Sequence, residues 1–249
     1  MDLGLTDRVY VVTGGSAGIG LAVATELVAE GARVVLAGRD RARVQAAAES
    51  LGGQQAEGLA ADVADPSTPE RLIAAARTRF GRIDGALIST GGPPPSLPTA
   101  TTDEAWSAAF ASVFLGPVRL ARDVVGAVGS GGAVCFVLST SSRSPITGLT
   151  TSNGLRPGLA GHVKDLADEV APRGVRVTGL LPGRIATARM QSMDAGDPDS
   201  RKRAEAAIPL RRYGEPAEIG RVGAFLLSPA ASYVTGCCVP VDGGALRAL

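Results

Sequence analysis

The stretch Val9-Tyr10-Val11-Val12-Thr13-Gly14-Gly15-Ser16-Ala17-Gly18-Ile19-Gly20 has the residue types and the spacing to hold a phosphate. An apolar run ends at Thr13 and a glycine-rich turn follows. Apolar or small residues then recur at Ile19, Val23, Leu27 and Val28, the spacing of one helix face. Strand, glycine turn and helix together present backbone N–H groups and the positive end of a helix to an anion. Glycine permits positive φ and lets a ligand approach the backbone closely. The spacing Gly14-x-x-x-Gly18-x-Gly20 is not the G-x-G-x-x-G of the commonest dinucleotide fingerprint. Its place, after a strand and opening a helix, is what points to a nucleotide.

A second buried-type strand, residues 33–37, ends at Gly38-Arg39-Asp40. In a dinucleotide fold an acid about 20 residues beyond the glycine loop takes the ribose 2′-hydroxyl, whereas an arginine accommodates a 2′-phosphate. Glycine and then Arg39 stand at that point. Arg39 is therefore read as a 2′-phosphate ligand, with a solvated loop arginine as the competing reading. NADP is the expected cofactor and NAD the alternative. Asp40 can cap a helix beginning near Arg41.

The elements that must position these groups follow from apolar patterning. Strands are expected at residues 59–63, 83–89, 132–139, 174–181 and 238–241. Helices are expected at 69–80, at 103–128 as one or two pieces around Trp106, at 153–171 and at 216–227. Thr90-Gly91-Gly92-Pro93-Pro94-Pro95 is a stiff turn that cannot be helix. Residues 188–212 are polar and arginine-rich, a flap or a short helical insertion on the substrate side. Alternation of strand and helix predicts an α/β fold: one doubly wound parallel sheet over residues 1–249, helices on both faces. In such sheets the ligand lies beyond the carboxyl ends of the strands. Those ends are the glycine loop, Gly38-Arg39, Asp62-Val63, 89–92, the hydroxyl run Ser139-Thr140-Ser141-Ser142, and Pro182-Gly183.

Composition narrows the function classes. The chain has 249 residues, a net charge of +1, 45% hydrophobic residues and 4% aromatics. Neither a nucleic-acid surface nor a membrane surface is indicated. Cys135, Cys237 and Cys238 lack C-x-x-C spacing, and no His/Asp/Glu/Cys constellation suggests a metal. No targeting pattern and no bilayer-spanning apolar run is present, so a cytoplasmic enzyme or binding protein acting on a small molecule is expected.

Taken in order, the motifs resemble the short-chain dehydrogenase/reductase family over essentially the whole length. Residues 13–20 (TGGSAGIG) resemble its glycine motif. Asp62-Val63 resembles its adenine-contacting pair, and residues 180–187 (LLPGRIAT) its nicotinamide-side loop. Residues 208–215 (IPLRRYGE) and 233–244 (YVTGCCVPVDGG) resemble its C-terminal signatures. The resemblance implies that Gly14, Ser16, Gly18, Ile19, Gly20, Arg39, Asp62, Val63, Thr90, Gly91, Arg156, Pro182, Gly183, Ile185 and Thr187 contact the cofactor. It also implies a homo-oligomer, tetramer or dimer, built through the long helices and the C-terminal strand.

The catalytic part departs from the family pattern of an Asn, a Ser, and a Tyr with a Lys four residues later. Alignment on Ala171-Pro172-Arg173-Gly174 puts Ser152 at the Tyr position and Arg156 at the Lys position. Ser139 keeps the Ser position, and Val113 stands for Asn. Ser89-Thr90-Gly91-Gly92 replaces the usual Asn-Asn-Ala-Gly turn. This set resembles a divergent ketoacyl-reductase-like subgroup lacking the Tyr–Lys pair. In ordinary members the Tyr phenol, with a free pKa of about 10, is the proton donor. Serine is a far weaker acid with a shorter side chain. Arg156 cannot shuttle protons, yet it can bond the nicotinamide ribose and stabilise a developing alkoxide. A structural arginine tied to backbone carbonyls is the competing reading.

Ser139, Ser152 and Arg156 are thus the catalytic candidates, the last two one helical turn apart. Ser139 can polarise a carbonyl or merely end a strand. Ser141, Ser142, Arg143, Thr150 and Thr151 flank the same space. Arg184 is either a ligand for an acidic substrate or a surface arginine, and His162, about 80° around the helix from Ser152, is expected to be a packing residue. The expected function is an NADP(H)-dependent oxidoreductase acting on a carbonyl or secondary alcohol. The alternatives are a cofactor-binding protein without redox turnover, such as a sensor, and a redox-neutral cyclase or dehydratase.

Overall fold

Alternate side chains of the first strand feed two different cores. In the computed structural model, which describes residues 2–197 and 199–248, β1 (Val9–Thr13) is buried along its whole length. Val9 and Val11 point to one face of the sheet, Tyr10 and Val12 to the other, as the two-residue period of a strand requires. β2 (Arg33–Gly38), β3 (Ala56–Ala60), β4 (Gly85–Ile88), β5 (Ala133–Val137), β6 (Arg176–Pro182) and β7 (Cys238–Val241) complete a seven-stranded sheet. Its order is β3-β2-β1-β4-β5-β6-β7, and every neighbouring pair is parallel. Burial on both faces explains why most of these strands read as continuous apolar runs.

α1 (Gly18–Ala29), α2 (Arg41–Ser50) and α9 (Pro216–Leu227) contribute to the core under Tyr10. α3 (Thr68–Phe80), α5 (Gly116–Ala127) and α6 (Thr150–Val170) contribute to the core under Val9. The chain winds outward from β1 to β3, then crosses over to β4. The β1–β4 junction is therefore the switch point where a crevice opens.

Three elements differ from the sequence expectation. β3 ends at Ala60 rather than reaching Val63, because Asp62 turns the chain: its Oδ1 accepts from the Ala64 N–H at 3.0 Å. β3 is an edge strand and mostly half-buried, so its first residues, Ala56-Glu57-Gly58, carry little apolar signal. The 103–128 segment is α4 (Asp103–Ala109), a wide turn at Phe110–Leu115, and α5. Pro117 offers no N–H and would crowd the carbonyl four residues back, which is why the helix widens just before it. α6 starts at Thr150, three residues early, and contains Pro157.

The 188–212 segment holds two short helices, α7 (Ala188–Asp194) and α8 (Ser200–Ala207). Pro198 within it lies outside the described residues. Among the described residues no helix is long and apolar enough to cross a membrane.

Candidate active site

A cradle forms where β1 ends. Thr13 Oγ1 donates to the Ser89 carbonyl at 2.8 Å and accepts from the Ser89 N–H at 2.9 Å, locking the ends of β1 and β4 together. Gly14 then turns with φ +59, and a Cβ on it would stand 2.9 Å from the Ser89 oxygen. A Cβ on Gly20 would strike the Gly14 carbonyl, so α1 can press against the turn only with glycine there. The residue before α1, Ala17, supplies no side-chain cap, and no acid sits in the first turn. A helix start left open in this way presents its N–H groups to a ligand. Ile19 packs on the apolar core beneath, aiming the helix.

The remaining cofactor candidates surround that cradle. A Cβ on Gly38 would lie 3.1 Å from Ser16 Oγ, so Ser16 and the exposed Arg39 share one corner. Asp40 caps α2 by accepting from the Arg43 N–H at 3.0 Å. Asp62 is exposed, and the Val63 carbonyl is packed against Gly116, where any larger residue would collide. Pro182 ends β6, and the Gly183 N–H continues the ladder to Val241 O at 3.0 Å. Ile185 is buried, and Thr187 caps α7 by accepting from the Met190 N–H at 3.4 Å. Thr187 Cγ2 would lie 3.5 Å from a Cβ on Gly18, so the two loops meet. Gly18, Ala186, Thr187 and Ala188 line an open groove of about 400 Å³.

The catalytic candidates lie where β4 and β5 end. Ser139 Oγ accepts from the Ser141 N–H at 3.1 Å, capping the short turn at Thr140–Ser142. A hydroxyl has one donor and two acceptor sites, so this bond leaves the Ser139 O–H free to donate. Ser152 Oγ, on a residue only 6% exposed, is 3.0 Å from Ser141 Oγ. Arg156, 5% exposed, donates from Nη1 to Val137 O at 2.7 Å and from Nη2 to Thr90 Oγ1 at 3.3 Å. Its Nε is buried with no hydrogen-bond partner among the described residues, as are the hydroxyls of Ser142 and Thr151. Burial, helped by the charge of Arg189, pushes the Arg156 pKa down to about 10, which leaves it cationic at neutral pH. Gly91, next to Thr90, is exposed.

Two glycines on α6 set its distance. A Cβ on Gly154 would meet the Trp106 ring at 2.6 Å, and one on Gly158 the Phe114 ring at 2.9 Å. Val113 is buried and apolar. His162 lies edge-on to Phe136 with centroids 6.1 Å apart, and burial lowers its pKa, as suits a packing residue. Arg184 is committed to Asp194 at 3.5 Å and to Tyr213 Oη at 3.2 Å.

The sequence and the overall fold have counterparts among known proteins. A family model described as enoyl-(acyl carrier protein) reductase matches residues 14–245. Levodione reductase of Leifsonia aquatica is 37% identical over 256 residues, covering 96% of this chain and 94% of that protein. The crystal structure of a short-chain dehydrogenase/reductase, glucose/ribitol dehydrogenase, from Brucella melitensis superimposes with a TM-score of 0.93 at 30% identity, all of both chains covered. The chain belongs to the short-chain dehydrogenase/reductase family. L-sorbose reductase of Gluconobacter frateurii, solved with NADPH and L-sorbose, has a TM-score of 0.92 at 30% identity over the full length of both chains.

As a short-chain dehydrogenase/reductase the protein is an oxidoreductase that takes a nicotinamide dinucleotide. The open start of α1 and the glycine cradle fit such a group. Sequence reasoning passed over two residues at this site. Gly116 looks like any helix glycine until the Val63 carbonyl is seen beneath it. Arg189 looks like one of many arginines until it is found donating to the Gly92 and Pro93 carbonyls at 2.7 and 3.1 Å.

Proposed function

We propose that this short-chain dehydrogenase/reductase is NADP(H)-dependent and interconverts a carbonyl and a secondary alcohol through an atypical catalytic set, Ser139, Ser152 and Arg156. The observation that carries the reading is Arg156. A charged guanidinium is buried where β4 and β5 end, and its Nε–H has no acceptor among the described residues. Such a group is retained at a cost unless something bound needs it. The fit of the glycine cradle to a dinucleotide supports the same conclusion.

Gly14, Ser16, Gly18, Ile19 and Gly20 hold the pyrophosphate side, Arg39 the 2′-phosphate, and Asp62 and Val63 the adenine. Thr90, Gly91, Pro182, Gly183, Ile185 and Thr187 hold the nicotinamide side. The bound dinucleotide supplies or accepts the hydride. The Ser139 O–H donates to the substrate oxygen. Arg156 bonds the ribose and stabilises negative charge on that oxygen as it develops. Tyr10, Tyr213 and Tyr233 are the tyrosines of the chain, and none has a lysine four residues on. The proton therefore reaches the substrate oxygen from a hydroxyl, Ser152 backed by Ser141, or from a water. Positioning and fixed charge supply much of the rate enhancement in any such site.

The test is a panel of ketones and secondary alcohols with NADPH and NADP+, followed at the nicotinamide absorbance. Turnover of at least one carbonyl is expected. Tight cofactor binding with no turnover across the panel would favour the sensor or the redox-neutral enzyme. For cofactor choice, Arg39→Asp is expected to reverse the preference from NADP to NAD, because it exchanges a cation for an acceptor of the ribose 2′-hydroxyl. An unchanged ratio of the two affinities removes Arg39 from the site. On the same reading residues 188–212 form a substrate-side flap within one domain, 1–249. The chain assembles as a dimer or tetramer through α5, α6 and β7; a monomer in sedimentation velocity contradicts the assembly.

A further inference from the structure

Two arginines from different helices reach the same four residues of loop. Arg156 comes from α6 and donates to Thr90 Oγ1. Arg189 comes from α7 and donates to the carbonyls of Gly92 and Pro93. Glycine at 92 is what leaves room, since a Cβ there would run into the Arg189 guanidinium. Neither arginine meets a carboxylate among the described residues. Other arginines of the same segment do: Arg201 pairs with Glu205 and Arg203 with Asp197.

The comparison with Arg176 sharpens the point. That guanidinium is also buried without an acid, yet it is satisfied by the carbonyls of Leu226, Ser228 and Val234. The fold can thus saturate a buried arginine with backbone when nothing else is required of it. Among the described residues, Arg156 is left with a buried, unpartnered Nε and with a second cation close enough to depress its pKa. Arg156 is buried and Arg189 stands exposed beside the same loop; with no carboxylate paired to either among the described residues, an anion from outside is attracted by both. Guanidinium groups suit a flat or tetrahedral oxyanion because their N–H groups come as a fork. Arg189 keeps a second N–H on each η nitrogen and one on Nε for that purpose.

We propose that Arg156 and Arg189 bind an oxyanion carried by the substrate, a carboxylate or a phosphate ester, adjacent to the carbonyl that reacts. The proposal rests on the oxidoreductase reading only in placing that carbonyl at Ser139.

Calorimetric titrations, with and without saturating NADP+, test this with two matched pairs. Acetoacetate is set against methyl acetoacetate, and dihydroxyacetone phosphate against dihydroxyacetone, at one ionic strength. In at least one pair the anion is expected to bind about tenfold tighter or more, and the pair that shows it names the source of the oxyanion. Arg189→Gln removes most of that preference, Arg189→Lys retains part of it, and neither changes the affinity for NADP+. Equal affinity within both pairs overturns the proposal, as does a preference untouched by Arg189→Gln. Anion preference without any consumption of NADPH supports this site and defeats the redox reading; turnover of neutral ketones without anion preference does the reverse.

Discussion

Arg156→Met is expected to lower turnover by roughly a hundred- to a thousandfold while leaving the unfolding midpoint unchanged or higher. The two effects have different causes. Removing one preorganised donor aimed at developing charge costs about that much in rate. Stability moves the other way because the native arginine is a buried cation without an acid. An apolar side chain of similar length carries no such desolvation cost, and that relief offsets the hydrogen bonds lost, about 1 kcal/mol each. What is lost locally is small: one bond each to Val137 O and Thr90 Oγ1. Steady-state kinetics and thermal unfolding on the same preparation give both quantities. A destabilised variant with full turnover would make Arg156 a structural residue and return the site to the drawing board.

Arg176→Met is expected to do the opposite. It should lower stability by about 2–4 kcal/mol and leave turnover per folded molecule unchanged. Arg176 is 8% exposed and ties three carbonyls, at 2.7, 2.8 and 3.3 Å, from Leu226, Ser228 and Val234. The first two lie at the end of α9, where the carbonyls point out of the helix and its negative end favours a cation. Truncation strands these acceptors in a dry environment. Urea unfolding measures the loss, and a change below about 0.5 kcal/mol would show that water replaces the guanidinium at little cost. The pair of substitutions is informative together, because burial alone treats the two arginines alike.

Much of the sheet was legible because most strands are buried on both faces and end in glycine, proline or hydroxyl residues. The misplaced element, β3, is a half-buried edge strand that opens on Ala56-Glu57-Gly58, with few apolar side chains to mark it; β7, the other edge, was still legible from Cys238 to Val241. The widened helical turn before Pro117 was also missed, since apolar spacing alone does not distinguish it from one long helix. Local spacing is enough to find the glycine loop and to place Arg39 at the end of β2. Ser139, Ser152 and Arg156 were placed by the resemblance and its spacing. The Ser141–Ser152 contact depends on a short turn that caps itself on Ser139, which no periodicity announces. The role of Arg189 was illegible for a plainer reason. Its partners Gly92 and Pro93 are nearly a hundred residues away in the chain and offer only backbone carbonyls.

The crevice has been assigned to a dinucleotide on the strength of an uncapped helix, a glycine turn that admits no side chain, and an exposed arginine at its corner. Calorimetric titration of the protein with NADPH and with NADH, its fold checked by circular dichroism, probes that assignment most directly. Saturable binding of NADPH, tighter than that of NADH, is the predicted result. Folded protein that takes up neither nucleotide would contradict the account at its root.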